Sequence, residues 1–345
     1  MAKQGRLGLG VALGLGGALV VVVMVLGVMI GSTPLGVKQV LDVLWGRFGS
    51  DVHDAIADQI IWQIRLPRVL LAALIGAALA TAGTVLQALV RNPLADPFIL
   101  GISSGASVGA TAVLLFGTLS SLGLWALSAG SVAGALLAMV TVFVLAVDDG
   151  RLTPTRLVLS GVALSAMFSA VASYLLFQGN QVATSSVVFW LLGSFGRATW
   201  GQLSLPAISL ALAMLYLLSQ ARALNALSVG AETATALGVD VERLRRRLFV
   251  VTSVVAGVAV AVSGVIGFVG LVVPHIVRLA VGNDHRVTLP VGLLWGAAFM
   301  VAADLLSRVL VPPQEMPVGV ITAFIGGPIF LILIRRRAYS MGGSA

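Results

Sequence analysis

Charge is scarce in this chain. Asp, Glu, Lys and Arg make up 10% of its 345 residues, where an ordinary soluble domain carries about 25%. So few charges cannot cover a water-facing surface, whereas lipid requires none. Cysteine is absent, which excludes thiolate zinc sites, iron–sulfur clusters, disulfides and thiol nucleophiles. The three histidines, His53, His275 and His285, are too scattered for the HExxH metalloprotease spacing. The two lysines, Lys3 and Lys38, do not follow a glycine, so the GxxxxGK[ST] phosphate loop is missing and ATP has no ordinary seat here. The formal net charge of +8 is read as membrane topology, because basic residues mark cytoplasmic loops. Nucleic acid is not an expected partner.

What the chain has in abundance is apolar sequence, 59% of all residues. A helix needs about 20 apolar residues to cross the hydrocarbon core. Runs of that kind lie near 7–31, 67–90, 99–116, 124–147, 157–177, 203–220, 247–266, 270–282, 289–310 and 318–334. They predict an all-α polytopic membrane protein with ten transmembrane helices in a single permease domain, residues 1–345. The eighth run is short enough to be tilted or broken. The first is too long for a signal-peptide core and no convincing cleavage site follows it, so it is taken as a permanent helix. With the N-terminus inside, fifteen of the 21 Lys and Arg fall on the inner side. That bias predicts both termini in the cytoplasm.

Glycine and alanine crowd the spans, as in Gly76-Ala77-Ala78 and Gly101-Ile102-Ser103-Ser104-Gly105. Small residues let helix backbones approach closely in lipid. The serines among them, Ser103, Ser104, Ser107, Ser160, Ser165 and Ser169, are candidates for a pathway wall. A shift of 181 residues lays GAALATAGTV (76–85) on GVAVAVSGVI (257–266), and Pro93 on Pro274. In the assigned topology these segments run oppositely. The chain therefore reads as inverted halves, 60–180 and 245–337, a plan common to transporters.

Several constellations are candidates for function. Pro93 and Pro97 separate two spans, with Asn92 and Asp96 among them; this reads as a tight capped loop or as a constriction at the inner mouth. The inner polar segment 222–246 contains AETATAL (231–237) between Gly230 and Gly238, a short helix followed by a basic patch. It reads as an ordinary loop or as a docking surface for a cytosolic partner. Arg65, Arg68 and Arg308 stand on the outer face against the general charge bias. They either snorkel to headgroups or grip acidic residues of an external protein, a task suited to arginine. Asp304 reads as a relay or, preferably, as the partner of Arg308 one turn on. Arg197 lies in an outer segment, 188–200, flanked by interfacial Trp190 and Trp200. That segment is expected to hold a short helix, and Arg197 either snorkels or attracts an anionic solute. Asp51, Asp54 and Asp58 suggest no function.

Taken together these pieces resemble the FecCD family of ABC-importer permeases. The matching stretches are RLPR (65–68), a GxxLQ-type sequence running into RNPLADPFILGISSGA (83–106), ALGV (236–239), SGVIGFVGLVVPHIVRL (263–279), DHR (284–286) and MPVGVITAFIGGPIFLILIRR (316–336). They cover nearly the whole chain after residue 60. The resemblance implies a type II importer fold like that of the cobalamin permease, ten helices per subunit and a pathway between two permease subunits. It implies two cytosolic ATPase subunits and a periplasmic or lipid-anchored binding protein in a bacterial inner membrane. ATP and Mg would sit on the ATPase and no cofactor on this chain. Glu232, Ala236, Leu237, Gly238 and Val239 match the ATPase-coupling segment. Arg65, Arg68 and Arg308 match the binding-protein docking positions. Asn92, Leu94, Pro154 and Thr155 match the cytoplasmic gate, where Pro154 departs from the family's small hydroxyl residues. The implied cargo is an iron chelate, a ferric siderophore or haem, with cobalamin as the alternative. An ion-coupled secondary transporter is the competing class. An enzyme is not expected, because no paired acids, histidine cluster or nucleophile–base spacing is present.

Overall fold

A computed structural model describes residues 7–31, 36–46 and 55–341. His53, Asp51 and Asp54 lie outside them. The helices are α1 (Leu9–Met29), α2 (Val37–Gly46), α3 (Ala55–Asp58), α4 (Leu66–Val90), α5 (Ile102–Phe116), α6 (Ala126–Ala146), α7 (Pro154–Gln178) and α8 (Gln181–Leu191). There follow α9 (Trp200–Ser219), α10 (Ala221–Val229), α11 (Ala231–Ala236), α12 (Val241–Ser263), α13 (Val269–Val281), α14 (His285–Val309) and α15 (Val318–Met341). A two-residue hairpin, β1 (Val147–Asp148) with β2 (Arg151–Leu152), joins α6 to α7.

Each of the ten expected spans falls on one helix: α1, α4, α5, α6, α7, α9, α12, α13, α14 and α15. Seven described helices are long and apolar enough to cross a membrane; α5, α8, α13 and the stretch Val318–Ile332 of α15 are shorter apolar segments. The eighth span is indeed short, 13 residues in α13, but it is continuous through Pro274.

Three boundaries differ from expectation. First, α4 does not begin at Pro67. Its helix runs back through a π-helical stretch, Gln59–Arg65, to α3. The Leu66 amide donates to the Ile61 carbonyl in that wider register. The next bond would need an amide on Pro67, which has none. The Trp62 carbonyl thus freed accepts the Trp200 indole N–H at 2.9 Å. Second, α12 starts at Val241, so Arg243 and Arg245–Arg247 belong to its first turns and not to a loop. Asp240 caps that start by accepting from the Arg243 amide. Third, the helix near the Trp190 segment is α8, which ends at Leu191. Residues 192–199 are irregular around the left-handed Gly193.

The centre of the bundle is α4, buried on almost every side. It packs against α14, α12, α13 and α9, while α5 and α6 form a second close pair. Lipid gives apolar helices no reason to cluster by hydrophobicity, so packing of small residues must hold them. The close approaches are backbone to backbone. A methyl at Gly76 would overlap the Gly296 carbonyl, and one at Gly83 the Gly270 carbonyl. Gly105 meets Gly134 and Gly109 meets Gly130 in the same way between α5 and α6. The glycines at these contacts serve tight packing.

The two segments of the internal match lie in α4 and α12, which are neighbours. The helices run in opposite directions: α4 starts where α12 ends, beside the 194–197 and 315–317 segments. The matched glycines differ in use, since Gly83 is mid-helix and Gly264 is the left-handed cap of α12. Outward-facing α7, α8 and α15 expose large apolar groups such as Phe177, Val182 and Phe324.

Candidate functional site

At one end of the bundle three arginines converge. Arg68, in the first turn of α4, reaches the last turns of α14. Its Nε donates to Asp304 Oδ1 at 3.0 Å and its Nη2 lies 3.0 Å from the same oxygen. Its Nη1 donates to Glu315 Oε2 at 2.8 Å. Arg308 pairs with Asp304 one turn away, its Nε donating to Oδ2 at 3.0 Å, and Nη1 donates to the Gly27 carbonyl at 2.7 Å. Arg65 donates from Nη1 to the carbonyls of Val28 and Met29, both at 2.8 Å, where α1 ends. All three arginines are buried, and Asp304 is wholly so, whereas the Glu315 side chain is 44% exposed. A desolvated charge is costly unless paired, and here one buried carboxylate is shared by two guanidinia. The expected i,i+4 pair of Asp304 with Arg308 is present, and Arg68 joins it. The arginines do not stand out as open forks; their donors turn inward, and Glu315 is the exposed member of the cluster.

Glu315 also edges a cavity of about 340 Å³, with Arg197, Gln202, Ser194, Ser128 and Ser263 among its lining. Arg197 is exposed at its rim. The cavity pairs an acid with a base, so it is not simply cationic. Trp62 and Trp200, tilted by 38° with 5.1 Å between ring centroids, hold this segment to the π-helical stretch before α4. The fully buried Phe195 anchors it from below.

A second cleft, about 280 Å³, brings together Ser103, Ser104, Ser107 and Ser169 with Ser173 and Val265. Ser107 bonds back to the Ser103 carbonyl at 2.8 Å. Ser160 and Ser165 do not line it; Ser165 bonds to its own helix at Gly161, 2.7 Å, beside Gly101.

The opposite end carries the other candidates. Asn92 and Leu94 form a tight turn, with Asn92 Oδ1 accepting from the Leu94 amide at 3.0 Å. Asp96 caps the short turn Pro97–Leu100 by accepting from the Phe98 amide at 2.9 Å. Burial pushes its carboxyl up to about 6, against the downward pull of that amide. Pro154 opens α7, a favoured position for proline, and Thr155 beside it is exposed. The 97–100 turn packs on α7 at Gly161, two turns further along. The coupling candidates sit on α11 and the turn after it. Glu232, Ala236, Leu237 and Gly238 are exposed, Val239 is half-buried and Ala234 is buried beneath them. Gly238 takes a left-handed φ of 81° and Gly230 an extended one, so both redirect the chain as expected.

Two residues were assigned no role from the sequence, although Gln87 closes the GxxLQ stretch (83–87). Gln87 is buried in α4 and donates from Nε2 to the Gly270 carbonyl at 3.2 Å. That carbonyl lies four residues before Pro274, which has no amide to fill it. Gln87 Nε2 also reaches the Ala95 carbonyl at 3.2 Å, and its Oε1 accepts from Arg278. A buried amide in an apolar span, opposite a proline, was the available clue. Asn225, on α10, bonds Asp284 and His285 at the start of α14.

This is the architecture of a multi-pass membrane transport subunit, with a closed charged cluster at one end and an exposed apolar-tipped segment at the other. The model of the FecCD transport family matches residues 19–336. The chain belongs to that family and is a permease of the ABC-importer type. It is 46% identical over 283 residues to the cobalamin import permease of Halobacterium salinarum, covering 81% of this chain and 74% of that one. It is 46% identical over 287 residues to the hemin transport permease of Yersinia pestis, covering 82% and 85%. Among solved structures it resembles an inward-facing ABC transporter assigned to the metal-chelate type, with a TM-score of 0.82 and 34% identity over 94% of this chain and 98% of that one.

Proposed function

We propose that the chain is the membrane subunit of an importer for an iron chelate, haem or a ferric siderophore, driven by ATPase subunits bound at α11. The observation that carries this is Leu237. It is 69% exposed at the tip of a polar segment outside the spans, with Ala236 and Gly238 exposed beside it. An apolar tip there suits a protein cover, and a cytosolic ATPase would supply one. On this reading the α11 end is cytoplasmic, as are both termini, in a bacterial inner membrane. Residues 60–180 and 245–337 are inverted halves, and a second permease subunit completes the pathway. Asn92, Leu94, Pro154 and Thr155 guard its inner mouth, and Ser103, Ser104, Ser107 and Ser169 face its solute. A binding protein docks over Arg65, Arg68 and Arg308, where Glu315 occupies the outer side of Arg68.

Cobalamin is the competing cargo. Relatives named for cobalamin and for hemin are equally similar to the chain, so similarity does not choose between them. The Arg197 cavity does not either, because Glu315 shares it. The ion-coupled alternative is disfavoured by Asp304. Among the described residues it is the acid buried within a span, and two arginines already hold it.

The test is capture and stimulation. A tagged full-length chain, expressed with its neighbouring importer components, is expected to retain an ATPase. Leu237→Glu should lose it. Hydrolysis by the retained complex should rise with a binding protein loaded with haem or ferric siderophore more than with cobalamin. Equal capture by the Leu237→Glu chain would overturn the docking assignment; stimulation by cobalamin alone would overturn the cargo.

A further inference from the structure

The segment that carries α11 packs on α4 and α14, and one of its side chains bonds the base of α14 at two residues. Asn225 Nδ2 donates to Asp284 Oδ1 at 2.7 Å. Asn225 Oδ1 accepts from the His285 amide at 2.9 Å and lies 2.7 Å from His285 Nδ1. The chemistry fixes every orientation. A carboxylate only accepts, so the amide nitrogen must face Asp284, whose own hydrogen bonds, Asn225 first and then the Arg286 amide, hold its pKa below the usual carboxylate range. A backbone N–H only donates, so the amide oxygen must face His285, and Nδ1 must then carry the proton. Asp284 is at the same time the cap of α14, accepting from the Arg286 amide at 3.0 Å. Both polar atoms of the Asn225 amide therefore have partners, and its orientation is fixed.

The surroundings show how α10 is held. Leu224 and Leu227, flanking Asn225, are wholly buried. Towards α9, by contrast, the chain passes through the non-helical Gln220, and towards α11 through the extended Gly230. Gly230 lies eight residues short of Gly238 and six from the Leu237–Gly238 tip's own helix end, so the segment is short. The other end of α14 holds Asp304 and Arg308, in the arginine cluster with Arg68 of α4. The whole of α14 runs for 25 residues, about 37 Å at 1.5 Å per residue, and His285 and Asp304 lie about 28 Å apart along it. It is continuous through Pro290, whose neighbours Leu289 and Val291 are buried. At Gly296 its backbone touches that of α4 at Gly76.

We infer that Asn225 is the positioning residue that makes the α10–α11 segment and α14 one moving body. A displacement at Leu237 is delivered through Asn225 to α14 and reaches the arginine cluster at the far end. By linkage, an event at that cluster biases the α11 end equally. The inference rests on the proposed roles of α11 and of the cluster, but the join itself does not.

The absence of cysteine makes the test direct. In the full chain in lipid nanodiscs, spin labels on Glu232→Cys and Leu306→Cys report the distance from the α11 tip to the outer part of α14. A single narrow distribution is expected. Adding Asn225→Ala should at least double its width. In the complex with a retained ATPase, Asn225→Ala should keep the partner and its ATP hydrolysis but lower uptake per ATP about tenfold. A chain with Asn225→Cys and Asp284→Cys, joined by a short bifunctional thiol reagent, should regain that ratio, which a purely folding role for Asn225 does not predict. An unchanged distribution in Asn225→Ala, or an unchanged ratio, overturns the inference. If no ATPase is retained by any chain, the role of α11 fails, while the label distances still decide the join.

Discussion

Arg68 holds two carboxylates that differ in burial, and this allows a sharp prediction. Asp304 is wholly buried, while the Glu315 side chain is 44% exposed. Asp304→Asn keeps the shape and one acceptor oxygen but removes the charge shared with Arg68 and Arg308. Removing one partner of a buried pair costs about 3–5 kcal/mol, because the remaining charge stays desolvated. Arg68 keeps Glu315 and Arg308 keeps the Gly27 carbonyl, so the lower end, about 3 kcal/mol, is expected. Glu315→Gln removes a solvent-screened pair, for which about 0–1 kcal/mol is expected. Replacing Asp304, Arg68 and Arg308 together by apolar residues of similar volume should recover much of the first loss, since apolar packing substitutes well for buried ion networks. The assay is reversible unfolding in mixed micelles with increasing SDS, followed by tryptophan fluorescence. The reasoning is refuted if Asp304→Asn and Glu315→Gln cost the same, or if the triple replacement is worse than Asp304→Asn alone.

Further outcomes follow from close contacts and from pH. Gly83→Ala places a methyl against the Gly270 carbonyl and should sharply reduce the yield of folded protein in size-exclusion profiles. Gly257→Ala, where the nearest atom is Ala135 Cβ at 3.4 Å, should leave that yield near wild type. Gln87→Leu strips the Gly270 carbonyl of its side-chain donor and should cost about 1–3 kcal/mol in the same unfolding assay. The Asp96 carboxyl is raised to about 6 from 3.8, so the fold favours its protonated form. Stability should therefore fall as pH rises from about 4 to about 6. Asp96→Asn, which keeps the cap to Phe98, should flatten that slope.

How much of this was legible beforehand depended on the range of the interaction. The ten spans were readable because hydrocarbon thickness demands long apolar runs. The α11 segment was readable from helix-forming residues between two glycines, and Asp304 with Arg308 from one-turn spacing. The contacts of Arg68 with Asp304 and Glu315 join residues 236 and 247 apart, and such pairings follow from helix packing order, which composition does not encode. The start of α12 was hidden because Arg243–Arg247 look like a loop, while a helix can extend past the hydrocarbon with its arginines in water. The π-helical entry to α4 was hidden because Pro67 reads as a helix start, and the Trp62 carbonyl it frees is filled only by the distant Trp200.

The central claim is import driven by ATP hydrolysis on a partner bound at α11. The most direct measurement is uptake of a haem- or siderophore-loaded binding protein's cargo into proteoliposomes containing the assembled complex, with ATP trapped inside. Uptake should require ATP, persist when ion gradients are collapsed, and vanish in Leu237→Glu. Uptake that follows an imposed proton or sodium gradient without ATP would contradict the account.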